Sequence, residues 1–268
     1  MELPITISPR RLTGILSLVV LGLTLASLAG SLSTLYLHPG TDLLKQVQKS
    51  YIRLFYVDWE ANIPTWYQAS TLLFCSIILA TIARGKRARP DPYVWHWAAL
   101  AVIFLAMSID EEAVIHEMAI KPLRQAFHMG GLLYYAWVVP GAAAVLLFAL
   151  AYLRFLWSLP PRTRLLFVVA GIIYVGGALG VEAVSGLWAD RHGENNLVYM
   201  TISTVEELME MIGIIVFIHA LLDYTGRHMG KVTLHVDAVG PHDAATALEI
   251  CNGIVPEGGE AAEVPRRR

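Results

Sequence analysis

A set of acids, with one imidazole close to them in sequence, lies within long apolar stretches of this 268-residue chain. One stretch carries Asp110, Glu111, Glu112, His116 and Glu117, a second carries Glu182, and a third carries Glu206, Glu207 and Glu210. A carboxylate at the centre of a membrane helix costs about 2.5–3.5 kcal/mol, so such residues point to function. No Lys or Arg occurs between Arg89 and Lys121, between Arg164 and Arg191, or between Arg191 and Arg227. Buried like charges cannot all stay ionised without compensation. Either metal ions neutralise the group, or several carboxyls carry protons and titrate.

Helical phase sorts the acids. At about 100° per residue, Glu112 and His116 (i, i+4) share one face of their helix, and Asp110 and Glu117 share another. Glu206, Glu207 and Glu210 fall within an arc of about 100°. An imidazole with convergent carboxylates suits zinc, iron or manganese. The expected ligands of such a divalent metal are Glu112, His116, Glu182, Glu207 and Glu210. Asp110 or Glu206 is then the general base, or the group that holds the imidazole tautomer. Di-iron bundles use Glu-x-x-His at i, i+3, a spacing absent from this set. The same acids would equally serve as the coupling centre of a proton- or cation-driven transporter. A non-catalytic membrane subunit that uses them to bind a partner or a pigment is the third reading.

The elements that must position these groups are transmembrane helices. Hydrophobic residues make up 56% of the chain and charged residues only 16%, against about 45–50% and about 25% in soluble domains. A bilayer core about 30 Å thick needs about 20 apolar residues per helix. Such runs occur at about 12–36, 64–82, 93–118, 131–156, 164–187 and 198–224. The expected fold is an all-α, polytopic membrane bundle of about six spans, occupying residues 1–226. The first run is longer than the 7–15 residues of a signal-peptide core, which predicts a retained anchor.

Arg10, Arg11, Arg84, Lys86, Arg87, Arg89, Arg154, Arg162, Arg164, Arg227 and Lys231 all flank one side of these runs. The positive-inside rule then predicts a multi-pass membrane protein with both termini in the cytoplasm. Counting 1.5 Å per residue along alternating spans brings the acids of the third, fifth and sixth spans to a similar level toward the outer face.

Residues 42–58 mix apolar positions with Lys45, Lys49 and Arg53 and read as an amphipathic helix on the outer surface. Gly176 and Gly180 form a GxxxG packing stripe, Pro140 predicts a kink, and Tyr134, Tyr135 and Trp137 read as interfacial anchors. His96 and His219 suit an aromatic belt and a helix-surface pair with Asp223 better than a haem. Residues 227–268 read as a cytoplasmic tail, largely disordered, with one weak strand pattern at 231–239. The expected partners are the lipid bilayer and membrane subunits. A net charge of -2 argues against nucleic acid, and two cysteines provide no disulfide framework.

The strings Ser108–Glu117 (SIDEEAVIHE), Thr204–Met211 (TVEELMEM) and Glu60–Trp66 (EANIPTW) resemble a group of bacterial multi-pass membrane proteins of unassigned function. The resemblance implies that Glu60, Asn62 and Trp66 belong with the acid cluster. It implies a place in the bacterial inner membrane but no activity.

Overall fold

The computed structural model describes residues 8–37, 39–88 and 91–229. All regular structure among them is helical: α1 (Pro9–Tyr36), α2 (Asp42–Phe55), α3 (Ile63–Arg87), α4 (Val94–Ala113), α5 (Ile120–Phe127), α6 (Val138–Ser158), α7 (Pro161–His192) and α8 (Leu197–His228). The disordered tail and strand expected beyond residue 229 lie outside the described residues.

Five helices, α1, α3, α4, α6 and α7, are long and apolar enough to cross a membrane. The sixth expected span is also a long helix, α8, of 32 residues. It carries Glu206, Glu207 and Glu210, and it packs against α1, α3 and α7. A helix with internal carboxylates is thus enclosed by apolar ones, the arrangement that lowers the cost of those charges.

Local chemistry fixes the ends. Pro9 and Pro161 open their helices in the first turn, where a missing N–H costs nothing. Thr41, Asn62 and Asn196 accept the N–H groups of Leu44, Thr65 and Tyr199 at 3.4, 3.1 and 3.0 Å and so cap α2, α3 and α8. Lys86 pairs with Asp91 at 2.8 Å across the α3–α4 turn. α2 has no buried residue. Gln48 Nε2 donates to the Ser33 carbonyl at 2.8 Å, and Tyr51 Oη donates to that of Ala26 at 3.0 Å. These bonds hold α2 along the end of α1.

The bundle has two unlike halves. At one end Leu72, Leu79, Ile82, Trp97, Phe155, Ile218 and Leu221 form a closed apolar core. Trp97 is stacked with Tyr224 at 5.0 Å and meets Phe155 edge-on at 5.0 Å. At the other end lie the beginnings of α3 and α8 and the end of α4, where the acids gather.

Four local expectations need correction. The third run ends at Ala113 rather than Met118, because Val114 adopts a left-handed conformation (φ 57°, ψ 36°). α5, which follows it, was not anticipated. Pro140 makes no mid-helix kink: α6 begins at Val138, so the proline sits in the first turn, where it is tolerated. In α7 a π turn over Gly176–Val181 shifts the helical phase. Gly180 has open space beside it, while Gly177 lies against α8. A Cβ on Gly177 would sit 2.9 Å from the Glu206 carbonyl oxygen.

Candidate metal centre

The site starts with a loop. Asn62 caps α3 with its Oδ1, while its Nδ2 donates to the carbonyls of Tyr56 and Trp59, each at 2.6 Å. Val57 N–H donates to Ser27 Oγ at 3.1 Å, and Ala61 takes a positive φ of 55° to close the turn. One buried amide side chain thus folds residues 56–62 and sets where Asp58 and Glu60 stand. Trp66, which the resemblance groups with Glu60 and Asn62, is exposed.

The end of α4 supplies the other half. Ser108 Oγ donates to the Ala69 carbonyl at 2.7 Å and ties α4 to α3. The reversal at Val114 then folds the chain back over the last turn. Asp110 Oδ1 accepts the backbone N–H of His116 at 2.9 Å, and Asp110 Oδ2 lies 3.0 Å from His116 Nδ1. A carboxylate at Nδ1 favours the tautomer with the proton on that nitrogen and leaves the Nε2 lone pair for a ligand.

Glu60, His116 and Glu117 each bring a ligand atom to within 4.8 Å of one another. Glu60 and His116 are half-buried and Glu117 is exposed, so the group opens to one side. Glu60 Oε2 is buried without a hydrogen-bond partner. Burial, and then the charges of Glu111, Glu117 and Asp110, push the Glu60 carboxyl up to about 8.

The other acids stand behind this group rather than in it. Glu112 is exposed. With the helix ended at Ala113, its i, i+4 relation to His116 does not exist, and neither does the common face of Asp110 and Glu117. Glu182 Oε1 accepts from Trp137 Nε1 at 2.6 Å, and the Trp137 ring lies 4.8 Å from that of His116. Trp137, read from sequence as an interfacial anchor, therefore bridges Glu182 to the imidazole.

Glu206 Oε2 accepts from Ser185 Oγ at 3.1 Å. Glu210 Oε2 accepts from Gln68 Nε2 at 2.9 Å, and Gln68 Oε1 is buried with no partner. Glu111 and Glu207 border Glu210 from α4 and from its own helix. Among the described residues, no Lys or Arg pairs with any of these acids; the ion pair inside the cluster is His116–Asp110. Gln68 and Ser185 escaped the sequence reading because neutral polar residues carry no cost signal in an apolar run.

Asp58 was also missed, hidden at the end of the amphipathic segment. Burial pushes its carboxyl up to about 7. Tyr199 Oη donates to Asp58 Oδ1 at 3.4 Å and lies 2.8 Å from Tyr135 Oη, which in turn donates to Glu194 at 3.1 Å.

No curated protein and no solved structure matches the chain. A family model described as a domain of unknown function (DUF8692) covers residues 13–225, a stretch that contains every acid discussed above. The chain belongs to that family.

Proposed function

We propose that this is a six-span protein of the bacterial inner membrane whose Glu60, His116 and Glu117 bind a divalent metal near the outer face. The bound ion serves chemistry on a membrane-soluble or periplasmic substrate. The observation that carries the reading is His116, fixed twice by Asp110 and facing two carboxylates that pair with no Lys or Arg among the described residues. One imidazole and two carboxylates are a donor set for zinc, iron or manganese. Three protein ligands with one open side also match sites that keep a coordination position for water or substrate. Such an ion would supply Lewis acidity there. Asp110 is the positioning residue, holding the imidazole in one tautomer. Glu182, through Trp137, supports the ring from the other side.

Elemental analysis of the detergent-purified protein tests this. About one zinc, iron or manganese per chain is expected, and a preparation that stays metal-free after incubation with each ion sinks the reading.

The acids deeper in the bundle support a second reading, a proton- or cation-coupling centre. Gln68 and Glu210 sit with Glu111 and Glu207 in an interior that no Lys or Arg reaches among the described residues. Protein without metal that shows pH-driven flux in liposomes would favour it.

Topology is tested separately. A reporter inserted at the 158–160 turn is expected on the cytoplasmic side and one at 128–130 on the outer side. The reverse result would place the metal group in the cytoplasm.

A further inference from the structure

A cavity of ≈ 490 Å³ opens beside the acid cluster, within the range of about 300–1,000 Å³ typical of ligand sites. Lys49 and Arg53 come to it from adjacent turns of α2, Asp58 from the 56–62 loop, and Glu194 from the turn between α7 and α8. Trp59 and Tyr199 complete the lining that matters here.

Two cations and two anions thus share one cavity, yet none of the four forms an ion pair. Among the described residues, neither Lys49 nor Arg53 has a carboxylate within 4.0 Å, and neither Asp58 nor Glu194 has a basic nitrogen that close. The fold itself keeps them apart. The Tyr135–Tyr199 pair touches both acids from the protein side: Tyr199 Oη lies 3.4 Å from Asp58 Oδ1, and Tyr135 Oη lies 3.1 Å from Glu194 Oε1. The cations are carried by α2, which is tied to α1 through Gln48 and Tyr51. Opposite charges fixed at a separation, with room between them, match a ligand that carries both signs.

The position of α2 indicates where such a ligand comes from. This helix buries nothing and exposes Leu43, Leu44, Val47 and Leu54. A helix with that apolar side and a basic face lies in the headgroup layer of a membrane. Its Lys49 and Arg53 then stand at the level of lipid phosphates.

We propose that this cavity binds a phosphoethanolamine-type zwitterion, with its phosphate at Lys49 and Arg53 and its ammonium at Asp58 and Glu194. A phospholipid headgroup and free phosphoethanolamine share this chemistry. The proposal needs α2 at the membrane surface but does not need the metal centre. Failure of one therefore leaves the other standing.

The test is native mass spectrometry of the detergent-purified full chain, titrated with short-chain phosphatidylethanolamine, short-chain phosphatidylglycerol and free phosphoethanolamine. Charge-assisted contacts to the ammonium predict that phosphatidylethanolamine binds about tenfold or more tighter than phosphatidylglycerol. Glu194→Gln and Asp58→Asn should each reduce that preference, and the double variant should erase it while phosphatidylglycerol still binds. Arg53→Gln, on an exposed side chain, should weaken both lipids by about tenfold. Glu194→Gln and Arg53→Gln alter solvent-facing groups, so a fold defect in Asp58→Asn would not obscure the result. Free phosphoethanolamine binding as tightly as the lipid supports the same site with a soluble ligand; much weaker binding supports the lipid. Equal affinity for the two lipids, no binding of any of the three, or variants that behave like the parent would each overturn the proposal.

Discussion

Replacing His116 by alanine is expected to leave the purified protein without bound metal, the largest change that any one substitution in the cluster should produce. The imidazole is the sole nitrogen donor in the group, and its position is fixed by two contacts to Asp110 at 2.9 and 3.0 Å. Asp110→Asn should have a graded effect. Its remaining amide oxygen can still accept the His116 backbone N–H, so the turn at Val114 survives, but the carboxylate facing Nδ1 is lost. Loss of such a supporting partner typically weakens metal binding by about 10–100-fold. Glu60→Gln should resemble His116→Ala, because the partly buried Glu60 carboxylate has an oxygen with no other partner. Glu112→Gln should bind metal like the parent, since Glu112 is exposed and belongs to no group of ligand spacing among the described residues. Elemental analysis and competition with a chelator measure all four. Metal retained by His116→Ala but lost in Glu207→Gln or Glu210→Gln would move the ion from the 56–62 loop to the interior of the bundle.

That contrast marks the boundary of what the sequence discloses. Length and hydropathy suffice to find the long helices, because backbone groups in lipid must be paired within each helix. Depth also follows from rise per residue, so the acids of α4, α7 and α8 could be brought to one end without knowing any loop. Contact is another matter. Whether Glu112 or Asp110 meets His116 depends on one residue, Val114, which leaves the helix with φ 57°. A β-branched residue in an apolar run gives no sign of that conformation, which is rarely adopted by such side chains. Glu60 reaches the site because Asn62 folds the loop through four hydrogen bonds. The string EANIPTW contains Asn62 and one of its partners, the Thr65 hydroxyl, but the two backbone carbonyls that close the loop have no side-chain signature. Trp137 was assigned to a belt on composition alone. Its indole N–H finds Glu182 because α6 begins one residue later and the π turn in α7 brings that carboxylate around.

The same π turn leads to the second large effect, a failure of assembly in Gly213→Leu. The backbones of α7 and α8 come close at two glycines. A Cβ on Gly213 would lie 2.8 Å from both the Cβ and the backbone nitrogen of Tyr174. One on Gly177 would lie 2.9 Å from the Glu206 carbonyl oxygen and 3.2 Å from Glu210 Cγ. Neither obstacle at Gly213 is the end of a flexible side chain, so a larger residue must push the helices apart. Overpacking of this kind costs about 1–3 kcal/mol, and more where two backbones must separate. Close approach through small residues is also the means by which membrane helices associate, since apolar side chains gain little by leaving lipid for one another. Gly213→Leu is therefore expected to give little monodisperse protein in detergent, and Gly177→Leu to lower thermal stability and disturb Glu206 and Glu210 together. Gly180→Leu is the control, because nothing lies within 4 Å of its added Cβ. A regular α-helix through the GxxxG sequence would make Gly176 and Gly180 the sensitive pair. The π turn replaces that pair with Gly177 on α7 facing Gly213's helix. Size-exclusion profiles and melting curves of the three variants separate the two arrangements: a Gly180→Leu protein that aggregates beside a well-behaved Gly213→Leu protein would mean that α7 and α8 pack through the other face.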